Sequence, residues 1–190
     1  MKKYIFIFTL ATCAAHAQVA IGKSSVTPGA SLEFGNSGNT TDLNDISKQK
    51  ALVLPWITDE ASVASGSVPG TLIYDIDAKK VKLAVATAEN STTISIWRDL
   101  TVATDGVVDP SLQNATGITE KPTAKVSIGK TPSSIPGVLV LEDTDKAMIL
   151  PLVKDYKSVI TPEPGAIVYD TTNNMFCVYN GKNWTFWSAQ

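Results

Sequence analysis

A mainly β fold made of two tandem, small β-rich repeat units, each with a short helical turn, is what this sequence predicts. Three observations predict it. β-Branched residues are plentiful and are broken at short intervals by Gly and Pro, the makings of short strands and turns. No long segment carries apolar residues at helical spacing. Four sequence blocks occur twice, in one order and with matching chemistry, which marks a repeated structural unit.

The chain opens with Met1-Lys2-Lys3, an apolar run from Tyr4 to Ala15 and an Ala15-His16-Ala17 site. A basic start, a short apolar core and small residues at the end describe a secretory signal peptide, so residues 1–17 are expected to be removed. Leu10-Ala11-Thr12-Cys13 is a loose lipobox and offers a second route, with Cys13 lipidated; Thr12 is unusual there, and cleavage after Ala17 is preferred. No stretch reaches the apolar length of a membrane helix.

The first unit is read as 18–100, the second as 125–190, with 101–124, rich in Thr, Asp, Gly, Asn and Pro, as a linker. Val19-Ala20-Ile21-Gly22-Lys23 returns as Val126-Ser127-Ile128-Gly129-Lys130, and Leu32-Glu33 is matched with Leu141-Glu142. Lys50-Ala51-Leu52-Val53-Leu54-Pro55 returns as Lys146-Ala147-Met148-Ile149-Leu150-Pro151. These runs are expected to be strands buried on both faces, each ended by proline, which holds its neighbour extended and lacks a ladder donor. A polar insertion in copy one, around Gly35-Asn36-Ser37-Gly38, reads as a loop. Thr58 offers a capping oxygen, followed by the acids Asp59 and Glu60, and Asp155 is placed to cap a matching turn, so a short helical turn is expected in each copy.

Pro69-Gly70-Thr71-Leu72-Ile73-Tyr74-Asp75 returns as Pro164-Gly165-Ala166-Ile167-Val168-Tyr169-Asp170, a turn followed by a strand. Strands at 81–85 and 175–179 come next. Tyr179-Asn180-Gly181-Lys182 predicts a tight type I′ hairpin in copy two. Both units then run into a strand around an equivalent tryptophan, Trp97 and Trp184.

Removal of 1–17 strips out the only histidine, His16, and leaves Cys177 as the one cysteine, so no internal disulfide can form. Losing Lys2 and Lys3 from 16 basic residues leaves 14 against 18 acids, a net charge of −4. Mild acidity with a single arginine, Arg98, argues against nucleic acid as a partner. Nucleophilic catalysis lacks its usual histidine base. Ser47/Lys50 and Ser127/Lys130 have Ser-x-x-Lys spacing without the companion motifs of that enzyme class. Asp75 and Asp170 are the acids a glycosidase would need, but at strand ends they read as turn residues. Asp75-Ile76-Asp77 fails as a calcium loop because Lys79 and Lys80 stand where a ligand and the glycine belong. No catalytic residue, metal or cofactor is expected.

Aromatic residues are the candidate ligand surface: Trp187, Trp184, Trp97 and Tyr179. Exposed aromatic faces suit sugars and proteins. Trp97 and Trp184, at equivalent positions, read as packing residues, which leaves Trp187 as the better ligand candidate. Four Asn-x-Thr sequons, at Asn39, Asn90, Asn114 and Asn183, reflect the abundance of those residues in loops.

The order Ile-Gly, Leu-Glu, Lys-Ala-Leu-Val-Leu-Pro, Pro-Gly-Thr-Leu-Ile-Tyr-Asp and Tyr-Asn-Gly-x-x-Trp resembles a repeat common in secreted surface and tail-fibre-like proteins of Bacteroidota. That repeat usually has arginine after its Leu-Pro, where this chain has Trp56 and Leu152. The resemblance implies a non-catalytic, exported structural or adhesive module, extracellular, at the cell surface or periplasmic, and self-association, with a homotrimer as the specific expectation. Another surface protein is the alternative partner. Alternative functions are a carbohydrate-binding module using the aromatics and, behind it, a carboxylate-dependent glycoside hydrolase. No sorting domain is expected after Trp187.

Overall fold

The computed structural model describes residues 18–35, 49–89, 91–112, 124–129, 133–135 and 137–188. The expected signal peptide, most of the polar insertion, residues 113–123 of the expected linker, Ser47, Lys130 and three of the sequons (Asn39, Asn90, Asn114) lie outside the described residues.

The chain is mainly β, and the strands among the described residues fall into two runs of seven in one order. Copy one has β1 Val19–Ile21, β2 Ala30–Phe34, β3 Leu52–Val53, β4 Trp56–Ile57, β5 Leu72–Asp75, β6 Lys80–Val85 and β7 Ile96–Asp99. Copy two has β8 Val126–Ile128, β9 Leu139–Leu141, β10 Ala147–Ile149, β11 Leu152–Val153, β12 Ala166–Asp170, β13 Met175–Tyr179 and β14 Trp184–Ser188.

Each copy has the same two parts. The first is a parallel pair, β1 with β2 and β8 with β9. The second is a sheet in which a two-residue strand lies parallel to the Tyr-Asp strand, followed by an antiparallel meander: β4-β5-β6-β7 and β11-β12-β13-β14. Pro55 and Pro151 separate β3 from β4 and β10 from β11, and their carbonyls still accept, from Tyr74 N–H (2.9 Å) and Tyr169 N–H (3.0 Å). The expected helical turns are 3-10 turns. The cap of the first is Asp59 rather than Thr58, because the turn Glu60–Ser62 starts one residue later and the Asp59 carboxylate accepts from Ser62 N–H at 2.8 Å; Asp155 caps Tyr156–Ser158, accepting from Lys157 N–H at 2.9 Å.

The copies exchange strands. β10 of copy two leaves its own unit and lies parallel to β2 of copy one, Met148 opposite Leu32 and Ile149 opposite Glu33. β3 of copy one lies antiparallel to β12 of copy two, Leu52 opposite Ile167 and Val53 opposite Ala166. The main core therefore sits at the junction: Leu54, Tyr74 and Val81 of copy one pack with Ile167 and Val178 of copy two. A satellite core of Val153, Val159, Val168 and Cys177 lies within copy two, with Ala51 of copy one against it.

Three further sequence expectations are corrected. The Leu-Val-Leu and Met-Ile-Leu runs are not buried on both faces: Leu52 and Leu54 pack at the junction core and Val53, on the alternate face, is 42% exposed, while Met148 and Ile149 are half-buried. The Leu32-Glu33 match is out of register. Val19 lies opposite Leu32 and Val126 opposite Leu139, so Leu32 corresponds to Leu139 and Glu33 to Val140, two residues earlier than matched. A two-residue slip keeps every side chain on its face, so hydrophobic patterning cannot reveal it. The β13–β14 connection is not a two-residue type I′ turn. Tyr179 pairs with Trp184 across a loop at 180–183, and of the Asn-Gly pair only Gly181 has positive φ (94°). Asn180 instead folds its side-chain carbonyl back onto the N–H groups of Lys182 (3.0 Å) and Asn183 (2.7 Å).

Candidate functional site

Among the described residues, polar and apolar contacts converge at the junction between the copies. Tyr74, fully buried at the centre of β5, reaches across it and donates from its hydroxyl to the Asn180 carbonyl at 2.9 Å. Burial, with the negative charge of Asp75 and the neighbouring Tyr179 hydroxyl, pushes the phenol up to about 12, so it stays a donor. Trp56 packs on Tyr74 at 6.0 Å between ring centroids and donates from its indole to the Pro164 carbonyl at 2.6 Å. Leu54 N–H donates to the Gly165 carbonyl (3.1 Å), and Lys154 N–H to Gln49 Oε1 (3.0 Å).

Residues 101–112 run over the junction as a strap. Thr101 is buried and its Oγ1 accepts from Val81 N–H at 3.1 Å, while Asn180 Nδ2 donates to the Ala103 carbonyl at 3.2 Å. Asp105 pairs with Lys182 at 2.7 Å and accepts from Asn183 Nδ2 at 2.8 Å. The strap lies so close that a Cβ on Gly181 would stand 1.9 Å from the Val107 carbonyl oxygen. The sequence signal for this contact was a second function of Asn180-Gly181, hidden because the strap reaches it from far along the chain.

The four aromatic candidates do not form one surface. Tyr179 and Trp184 meet, ring centroids 5.0 Å apart, and Trp184 also stands edge-on to Tyr156 at 5.8 Å, against the satellite core. Trp97 lies in the other sheet, opposite Ala84, just as Trp184 lies opposite Tyr179. Trp187 projects from the opposite face of β14 to Trp184; it is 45% exposed and its indole donates to the Leu100 carbonyl at 3.0 Å. Sequence reasoning passed over Phe186, 43% exposed, whose ring lies 4.8 Å from that of Tyr156. The alternation in Trp-Thr-Phe-Trp was the signal that could have found it.

Asp75 and Asp170 are both engaged in turns. Asp75 accepts from Ala78 N–H at 2.8 Å and faces Lys82 at 3.3 Å, and Lys82 also reaches Glu60 at 2.5 Å. Burial would lower the Lys82 ammonium, but Glu60 and Asp75 outweigh it and hold it above its ordinary value. Asp170 accepts from the N–H groups of Thr172, Asn173 and Tyr156 and from Asn173 Nδ2. Burial would raise its carboxyl, and those bonds from Asn173, Tyr156 and Thr172 hold it below the usual carboxylate value instead. Among the described residues no group of His, Cys, Asp and Glu is arranged to hold a metal ion, and no helix is long and apolar enough to cross a membrane.

Residues 127–189, nearly all of copy two, match the family model of a phage tail like trimerisation region. No curated protein and no solved structure matches the chain. The matched segment carries β10, the strand that copy two lends to copy one. Copy two thus resembles a self-associating unit of tail-like fibres, and it already associates with a second unit inside this chain.

Proposed function

We propose that this chain is a non-catalytic structural module of an exported, fibre-like assembly, and that it self-associates as a homotrimer. The observation that carries the reading is the similarity of residues 127–189 to a phage tail like trimerisation region. Two features support it. Strand edges are templates for pairing with another chain, and the two best-placed carboxylates, Asp75 and Asp170, are occupied in turns rather than facing an opening. Export rests on the Lys2-Lys3, apolar run and Ala15-His16-Ala17 pattern, and is tested by the intact mass of the exported protein, expected to begin at Gln18. Sedimentation equilibrium of residues 18–190 over a concentration series tests the assembly: a mass of three chains is expected. A monodisperse monomer at every concentration would falsify it.

A second reading, a carbohydrate-binding module, is favoured by one observation, the exposure of Trp187 and Phe186 on β14. A glycan array followed by Trp fluorescence titration tests it, and absence of binding to every glycan removes it.

A further inference from the structure

The junction between the two copies is one-directional. At it, copy one offers the edge of β2 to β10 and lends β3 to the edge of β12. The surfaces that meet are therefore different on the two sides, and each copy still carries the surface that its sister has used.

On copy two the unused edge is that of β9, the counterpart of β2. Leu32 in β2, paired with Met148 of β10, is 1% exposed, whereas Leu139, its counterpart in β9, is 41% exposed. Among the described residues β9 pairs with β8 alone. On copy one the unused edge begins at Gly70, the counterpart of Gly165: the two N–H groups donate to the equivalent carbonyls of Ala84 and Tyr179. A Cβ on Gly165 would touch Tyr74 Cβ at 3.0 Å, while one on Gly70 would meet nothing within 4 Å. The Gly165 carbonyl accepts from Leu54 N–H; the Gly70 carbonyl and Leu150 N–H, their counterparts, have no such bond among the described residues. Tyr74 is fully buried at the junction, and its counterpart Tyr169 is only half-buried.

From these paired differences we infer that copy two of one chain binds copy one of a second copy of this chain by repeating the internal junction. Strand 51–53 of the second chain lies parallel to β9, Leu52 against Leu139 and Val53 against Val140. β10 of the first chain lies antiparallel to the start of β5 of the second, and Tyr169 covers Gly70. The inference rests on the self-association proposed above and specifies its surface. Such a contact is heterologous, so it closes into a ring or continues as a filament according to the rotation between units. It is weaker than the internal junction, since Leu152 stands where Trp56 donates to Pro164.

The experiment uses residues 18–190 and the variants Leu139→Lys and Val53→Lys, both at exposed positions, with circular dichroism to confirm folding. Sedimentation is expected to show each variant dissociating at concentrations about tenfold or more above those at which the unaltered chain dissociates, because an ammonium replaces an apolar contact. Leu52→Cys and Leu139→Cys proteins, mixed and oxidised, are expected to form a mixed disulfide that neither forms alone. If the unaltered chain is a monomer throughout, the self-association reading and this inference both fail. If it assembles and the folded variants assemble equally well without the mixed disulfide, the assembly uses another surface and this inference alone is overturned.

Discussion

The Tyr74 hydroxyl donates to the Asn180 carbonyl at 2.9 Å, joining the centre of one repeat to the β13–β14 loop of the other. The same loop residue holds the strap through Ala103, so a single asparagine ties together three segments distant in sequence. Tyr74→Phe keeps the ring packing and leaves the buried carbonyl without its donor. The loss is expected to be about 1–3 kcal/mol, read as a lower urea midpoint with an unchanged slope.

Two glycines with similar positive φ separate backbone strain from crowding. At Gly29 (φ 90°) an added Cβ would meet nothing within 4 Å, whereas at Gly181 (φ 94°) it would stand 1.9 Å from the Val107 carbonyl oxygen. Gly29→Ala is expected to cost about 1–2 kcal/mol from the left-handed conformation alone. Gly181→Ala carries that cost and also forces the strap outward, so its thermal midpoint falls further and trypsin cuts at Lys182 faster.

Asp170 makes acid stability testable. Its carboxyl is held below the ordinary 3.8, so its stabilisation is fully present above that value and is lost as pH falls through the depressed folded-state value. The urea midpoint of the unaltered chain is therefore expected to drop as pH is taken below about 4. Asp170→Asn should have a lower midpoint at pH 7 and a flatter profile in the acid range. An equally steep acid profile in the variant would assign the acid sensitivity to other carboxylates.

Lys82 stands between Glu60, Asp75 and Asp99, with Asp75 buried. Lys82→Met keeps the stem and removes the charge, leaving the Asp75 carboxylate with its turn bond to Ala78 N–H. The expected cost is about 1–3 kcal/mol, with little of it recovered in high salt. Glu60→Gln, at the exposed end of the same cluster, should cost about 0–1 kcal/mol; denaturant midpoints of the two variants compare them directly.

Cys177 is fully buried in the satellite core, and burial, with the negative charges of Asp170 and Asp155, pushes its thiol up to about 11. A maleimide or a disulfide reagent should leave it unmodified in the folded chain at pH 8 and react fully in denaturant. Rapid labelling of the native protein would show that the satellite core opens readily.

Local chemistry alone determined the mainly β class, the strands that follow Gly70 and Gly165, and the capped turn at Asp155. Those features depend on contacts a few residues apart: prolines that end a strand, aspartates that bind the next N–H groups, alternation along one strand. Asp75 and Asp170 were legible as turn residues for that reason. Only the tertiary structure decided which copy each apolar run belongs to in space. The runs 50–55 and 146–151 have nearly the same sequence, yet β3 pairs with β12 antiparallel and β10 with β2 parallel. An apolar strand carries no label for its partner, since the backbone donors and acceptors of every edge are alike. The same reason hid the true register of Leu32 with Leu139, which a two-residue slip leaves on the same face. The junction, with Tyr74 on Asn180 and Trp56 on Pro164, needed residues more than a hundred positions apart, and its chemistry exists only once the strands have crossed.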